Sequence, residues 1–128
     1  MAIAVQCHSL SLERSMLNTI LRKGAIMLEE ANNVLKGDGT HFFIPEHQTI
    51  YNALCSLYDN KRNIDIIILN EHLKLTKQFN PEITTTLQRI STSKVIDDFK
   101  SSLQILLDYS LRRRVGNTAL KVAADCMV

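Results

Sequence analysis

The sequence predicts an all-α protein, and three observations carry that prediction. Only four glycines and two prolines interrupt 128 residues, so the chain has few of the breaks that short strands and tight turns need. Apolar residues recur three and four positions apart along most of the chain, which is the spacing of one helix face. Both prolines are followed by glutamate, and this pair is typical of the first turn of a helix.

The composition bounds the class of protein. The chain is 45% hydrophobic and 22% charged, which allows a single domain with a buried core. A net charge of +2 is too small to argue for nucleic-acid binding by itself. The three cysteines, at positions 7, 55 and 126, are odd in number and widely spaced, so they predict no disulfide framework. Without a signal peptide or an apolar run of membrane length, we expect a cytoplasmic protein.

The amino-terminal third predicts two helices. The first covers about residues 11–21, with Ser9 or Ser11 as its cap and Leu12, Met16 and Ile20 on one face. Arg22, Lys23 and Gly24 are typical of a helix end. A short helix at about 25–35 follows, and the glycine-rich stretch at 36–39 is predicted as a loop.

The middle of the chain predicts three more helices from their start signals. Pro45 opens one helix, Asp65 caps the next, and Asn80 with Pro81 opens the third. Each start precedes apolar positions at helical spacing. The positions expected on the buried faces are Ile50, Leu54, Leu57 and Tyr58, then Leu69 and Leu73, then Ile83, Leu87 and Ile90.

A long final helix is predicted from about 97 to 126, with Gly116 as its one weak point. Phe99, Leu103, Leu106 and Leu107 share one face, whereas Ile105 and Tyr109 point roughly the opposite way. A helix that lies on one domain needs a single apolar stripe, so two stripes favour a second body on the far side. The alternative is a helix buried within its own domain.

The chain carries no recognisable catalytic, cofactor or metal motif. The histidines and cysteines lack the CxxC and HxxxH spacings of metal sites, and the glycines at 37 and 39 do not form a phosphate-binding loop. An enzyme is therefore the least favoured class, and no catalytic, cofactor-binding or metal residue is predicted. The arginines at 112–114 leave a helical DNA-binding protein as an alternative, although three successive positions span about 200° of a helix.

The central segment resembles the N-terminal domain of bacterial replicative helicases of the DnaB family. The pattern FFxPxHxxIYxAxxxLY begins at Phe42, and IDxxxLxExL follows from Ile64. The segment LERSML at 12–17 is similar to an early family helix, and LRR at 111–113 to an arginine-rich helix end. The resemblance covers about residues 10–122. The residues taken as its structural core motif are Phe43, Pro45, Ile50, Tyr51, Leu54, Leu57, Ile64, Asp65, Leu69 and Leu73.

The resemblance implies a compact helical head, at residues 1–92, and a C-terminal helical hairpin or helix used for dimerisation, at 93–128. In the family, the hairpins pair into dimers, three dimers form a collar, and the collar helps to recruit primase. The implied partners are therefore a second copy of the chain and primase or a helicase loader, with DNA contacted only indirectly and no membrane. ATP and Mg²⁺ would belong to a motor domain, if one follows.

For self-association we expect contacts by Ile105, Leu106, Tyr109, Arg112 and Arg113, because aromatic and arginine residues near an apolar centre are common interface anchors. Two interpretations of the chain's length stay open at this point. It is either a fragment of a helicase or a complete small protein, from a phage or mobile element, that mimics this domain to bind a host helicase or primase.

Overall fold

The computed structural model describes the backbone of residues 8–126 and the side chains of residues 8–115. Within that part of the chain, every regular element is helical, which confirms the all-α prediction. A one-turn 3-10 helix lies at Gly39–His41. The α-helices are α1 (Leu10–Lys23), α2 (Ala25–Leu35), α3 (Pro45–Asp59), α4 (Ile66–Leu75), α5 (Pro81–Ser91) and α6 (Phe99–Cys126).

Polar side chains start three of the helices as the sequence predicts. The Ser9 hydroxyl accepts from the Leu12 amide at 3.3 Å, and the Asp65 carboxylate accepts from the Ile67 amide at 2.7 Å. Asn80 Oδ1 accepts from the Ile83 amide at 2.9 Å. Each bond satisfies an amide that has no partner within its own helix.

The 3-10 helix approaches α3 closely, and a glycine permits that approach. A Cβ atom on Gly39 would lie 2.6 Å from Asn52 Oδ1 and 2.9 Å from the backbone oxygen of Gln48. Phe42, which follows the 3-10 helix, is fully buried, and its carbonyl accepts from Gln48 Nε2 at 2.8 Å. The segment that leads into α3 is therefore held against α3 itself.

One hydrophobic core joins all six α-helices. Its residues in the described part of the chain include Met16, Leu17 and Ile20 of α1, Leu28 and Leu35 of α2, Ile50, Tyr51, Leu54 and Leu57 of α3, Ile64 and, from α4, Leu69 and Leu73, then Ile83, Leu87 and Ile90 of α5, and Phe99, Leu103 and Leu106 of α6. The apolar positions of the core motif from Ile50 onward are therefore buried as predicted.

Three members of that motif lie outside the core. Phe43 is 43% exposed, because the neighbouring Phe42 takes the buried position where the chain enters α3. Pro45 and Asp65 are exposed as well. They act at helix starts, Pro45 as the first residue of α3 and Asp65 as the cap of α4.

Buried polar side chains of α1 hold the segment that precedes α6. Asn18 Nδ2 donates to the Ser93 carbonyl at 2.6 Å, and the Ile96 amide donates to Thr19 Oγ1 at 2.8 Å. Both Asn18 and Thr19 are buried. These two bonds fix the point from which α6 departs.

The C-terminal element is one helix in the described part of the chain, so the second arm of the expected hairpin is not seen there. The first turns of α6 belong to the core through Phe99, Leu103 and Leu106. The division into a head at 1–92 and a C-terminal element at 93–128 stays a prediction.

Of the three cysteines in the sequence, Cys55 is a half-buried free thiol. Cys7 and the side chain of Cys126 lie outside the described residues.

Candidate protein-interaction surfaces

A buried carboxylate–imidazole pair organises the entrance to α3. Glu13 of α1 and His47 of α3 are both buried, and Glu13 Oε1 lies 2.8 Å from His47 Nδ1. The same carboxylate accepts from the Phe43 amide at 2.8 Å and from the Ile44 amide at 3.4 Å. No side chain caps the first-turn amides of α3, and Glu13 instead holds, from another helix, the two residues that lead into α3.

The Glu13 contacts also determine where Phe43 lies. With its amide held by Glu13, Phe43 is directed to the surface, where its ring stacks on His8 with centroids 4.0 Å apart. The guanidinium of Arg113 in α6 lies 5.4 Å from the centre of the Phe43 ring. Arg113 Nη2 also donates to the His41 carbonyl at 2.7 Å, which ties α6 to the 3-10 helix.

A cleft of about 350 Å³ opens between this region and α6. We call it the Phe43 cleft. Its lining residues are Thr40, Phe42, Phe43, Gln48, Ser110, Arg113 and Arg114. The charged side chains among these are the two arginines, and Asp38 approaches Arg114 from the rim of the cleft.

Neighbouring groups at the rim of the Phe43 cleft shift the pKa values of Asp38 and His41. Hydrogen bonds from the Thr40 side chain and backbone lower the pKa of Asp38, which lies 3.6 Å from Arg114 Nη2. Burial lowers the pKa of His41, and the neighbouring Arg114 and Arg113 lower it further against the opposing effect of Asp38. His41 Nδ1 lies 3.0 Å from the buried Ser110 hydroxyl on α6.

A second candidate surface is the solvent-facing side of α6, which we call the outer α6 face. Ile105 is 47% exposed, Leu111 60% and Val115 59%. Between them lies an ion pair of Asp108 and Arg112, whose Oδ2 and Nη2 are 3.0 Å apart. These residues recur three and four positions apart, so they share one side of the helix.

The residues predicted for self-association divide between two sides of α6. Ile105 and Arg112 lie on the outer α6 face, and Tyr109 is half-buried beside it. Leu106 is only 1% exposed and belongs to the core, so its place in an accessible contact surface is corrected here. Arg113 contacts the 3-10 helix and Phe43 instead of the outer face. Leu111 and Val115 were missed, although their four-residue spacing was visible in the sequence.

A third exposed apolar group lies on α4. Ile67, Ile68 and Leu75 are exposed, and Ile68 and Leu75 border a groove of about 460 Å³ that reaches the end of α3 at Leu57 and Asn60. The apolar run at 66–69 was visible in the sequence. Only Leu69 of that run is fully buried, because successive residues of a helix point in different directions and a single one of the four faces the core directly.

The three consecutive arginines divide between two sides of α6, because Arg113 and Arg114 line the Phe43 cleft and Arg112 lies on the outer α6 face. Arg112 pairs with Asp108, Arg113 donates to the His41 carbonyl, and Arg114 approaches Asp38. They do not form a single basic patch, which argues against DNA binding by this cluster. Among residues 8–126, no helix is both long enough and apolar enough to span a membrane. Among the side chains of residues 8–115, no group is spaced to hold a metal ion.

Comparison with known proteins assigns this arrangement of helices. The family model for the DnaB-like helicase N-terminal domain matches residues 5–108. The fold is similar to the N-terminal domain of DnaB helicase from Helicobacter pylori, whose structure was described together with its interactions with primase. That alignment has a TM-score of 0.81 and 19% identity, and it covers 92% of this chain and 91% of the other.

The N-terminal domain of DnaB helicase from Mycobacterium tuberculosis is similar too, with a TM-score of 0.84 and 20% identity over 96% of this chain and 88% of the other. Among curated proteins, no sequence relative matches. At these identities, the solved structures establish a common fold, and the family model carries the assignment.

Proposed function

This chain belongs to the family of DnaB-like helicase N-terminal domains, and from that premise we propose that it assembles with copies of itself and docks primase or a helicase loader during DNA replication. The domain is non-catalytic, because the motor of these helicases lies in another domain. We expect it to work in the cytoplasm and to need no cofactor of its own. ATP and Mg²⁺ would serve the motor.

The observation that carries the self-association proposal is the outer α6 face. Ile105, Leu111 and Val115 expose apolar area on a helix whose opposite side is already in the core. Burying each such side chain against a partner would contribute about 1.5–3 kcal/mol. A second copy of the chain fits this face well, because the Asp108–Arg112 pair presents one charge of each sign that a two-fold related copy can meet. Three such dimers would make up the trimer of dimers that we propose for the collar.

The proposal of primase docking rests on the relative from H. pylori, which was described with its interactions with primase. This chain shares the fold of that protein over nine-tenths of both lengths. A helicase loader is the other replication protein that we expect to use the domain.

Self-association is tested by sedimentation velocity on the variant with Ile105→Ser and Leu111→Ser. We expect the mass to fall toward the monomer with helical content unchanged, since both side chains are exposed. The matched control replaces two exposed apolar residues of α4, Ile67→Ser and Leu75→Ser, and should keep the oligomer. If the control dissociates and the α6 variant does not, the interface lies on α4 and the proposal is wrong.

Docking is tested by biolayer interferometry with immobilised primase from the same replication system and the wild-type domain in solution. Saturable binding supports the proposal. A loader from that system is assayed in parallel. Absence of binding to both proteins, at concentrations where the domain sediments as its normal oligomer, would remove the docking role while leaving self-association in place.

A further inference from the structure

We propose that the Phe43 cleft binds a short acidic segment of a partner protein, in which a glutamate or aspartate lies next to an aromatic or aliphatic side chain. This inference deepens the docking role proposed above and rests on it. It concerns a different surface from the outer α6 face. It is carried by the charges, the exposed ring and the shape of the cleft.

The charge of the cleft selects an anion. Arg113 and Arg114 are the charged side chains of the lining, and the Asp38 carboxylate that approaches Arg114 lies outside the lining. The Asp38–Arg114 pair is loose, with 3.6 Å between the atoms and Arg114 55% exposed. An incoming carboxylate can therefore approach the Arg114 guanidinium without displacing a tight buried pair.

The cleft also provides an apolar surface that is already in place. Phe43 is fixed at its amide by Glu13 and at its ring by Arg113, and it still exposes 43% of its surface. An arginine beside an exposed aromatic ring is a common anchor in protein interfaces. Because these groups are held by buried contacts, little side-chain freedom would be lost on binding.

The dimensions favour a peptide over a nucleic acid. A volume of about 350 Å³ accommodates a few side chains. A nucleic-acid backbone needs a row of cations that follows its phosphates, and Arg112, the third arginine, points away to Asp108 on the outer α6 face. Thr40, Gln48 and Ser110 complete the lining, and their hydrogen bonds to Asp38, the Phe42 carbonyl and His41 hold its walls in place.

The test uses two synthetic peptides, one rich in glutamate and phenylalanine and the same peptide with glutamine at every glutamate position. Binding of each to the domain is measured by fluorescence anisotropy and mapped by amide chemical shifts. We expect the acidic peptide alone to bind, with shifts centred on Thr40, Phe43 and Ser110. Arg114→Gln should weaken binding at least about tenfold, as loss of a charge-assisted bond does.

The matched control is Arg89→Gln, which removes the same charge from an exposed arginine of α5, away from both proposed surfaces. It should change the affinity by less than about twofold. Equal weakening by both variants would mean unspecific attraction and would overturn the proposal. Equal binding of the two peptides, shifts centred elsewhere, or tighter binding of a single-stranded oligonucleotide to the cleft would overturn it as well. Circular dichroism checks that both variants fold.

The two proposals can fail separately. If the acidic peptide binds the cleft but neither primase nor a loader binds the domain, the docking partner proposed above is wrong and the cleft serves another acidic protein. If primase binds equally well to the wild-type domain and to Arg114→Gln while neither peptide binds, the docking function stands and the cleft proposal is overturned.

Discussion

The carboxylate of Glu13 in α1 contacts the imidazole of His47 in α3 at 2.8 Å, and both side chains are buried. The two residues are 34 positions apart in the chain. Through the same carboxylate, Glu13 accepts from the Phe43 and Ile44 amides, which lie just before α3. One buried side chain therefore joins two helices and determines how the chain enters the second.

We expect Glu13→Ala to lower the free energy of unfolding by about 3–5 kcal/mol, because it leaves an imidazole and two backbone amides without their acceptor in the interior. Urea unfolding followed by circular dichroism measures the loss. Glu71→Ala is the control, since Glu71 is an exposed glutamate whose ion pair with Lys74 spans 3.6 Å. It should change stability by less than about 0.5 kcal/mol. Similar losses in both variants would mean that the Glu13 contacts contribute little.

Asp65→Ala should cost about 1 kcal/mol, since the Asp65 carboxylate accepts from the Ile67 amide at 2.7 Å and from the Ile68 amide at 3.4 Å. Thermal unfolding should show a fall in Tm of about 3–6 °C. Asp65→Asn keeps an acceptor oxygen in place and should retain most of the stability. If Asp65→Asn loses as much stability as Asp65→Ala, then the charge of the carboxylate, and not its hydrogen bonds, stabilises this helix start.

Gly39→Ala should destabilise the domain by about 1–3 kcal/mol, because the added Cβ would lie 2.9 Å from the backbone oxygen of Gln48, which cannot move without shifting α3. Chemical unfolding of the two proteins measures the difference. Asn52 also touches the site at 2.6 Å, but its side chain can rotate away. A second variant with Asn52→Ala added should therefore recover only part of the loss. Full recovery would place the clash on the side chain instead of the backbone.

Stability should fall on acidification in part through His41. Its pKa is lowered in the folded chain by burial and by Arg114 and Arg113, so the unfolded chain binds the proton more readily. The contribution of His41 to the free energy of unfolding is fully present above 6.5, the ordinary pKa of histidine. It is lost as the pH falls from there through the lower pKa that His41 has in the folded chain. His41→Asn should reduce the difference in unfolding free energy between about pH 5 and pH 7.5.

The control for that experiment is His72→Asn in α4, where the imidazole lies away from the arginines of α6. This variant should keep the pH dependence of the wild-type chain. If His72→Asn flattens the dependence and His41→Asn does not, then His41 is not the group responsible.

The helix starts could be predicted from the sequence because local chemistry determines them. Ser9, Asp65 and Asn80 cap the amides of their own helices, and Pro45 is the first residue of α3. A short polar side chain or a missing amide hydrogen acts within three or four residues, so its effect is visible in the pattern. The family resemblance is confirmed by the match to residues 5–108.

The contacts between helices could not be predicted in the same way. Glu13 looks like an ordinary first-turn acid in the sequence, and only the tertiary fold buries it against His47. Phe42 and Phe43 lie in a short non-helical link without periodicity, so nothing local indicates which ring enters the core.

The bonds from Glu13 to the link before α3 have a consequence for hydrogen exchange. The Phe43 and Ile44 amides depend on an acceptor 30 and 31 residues away, so they lose protection only when α1 separates from the link. Amides in most links between helices exchange by local opening, but these two report the separation of packed elements. Phe43 and Ile44 should therefore exchange on the timescale of the core, and α1 should open together with the entrance to α3 as one cooperative unit.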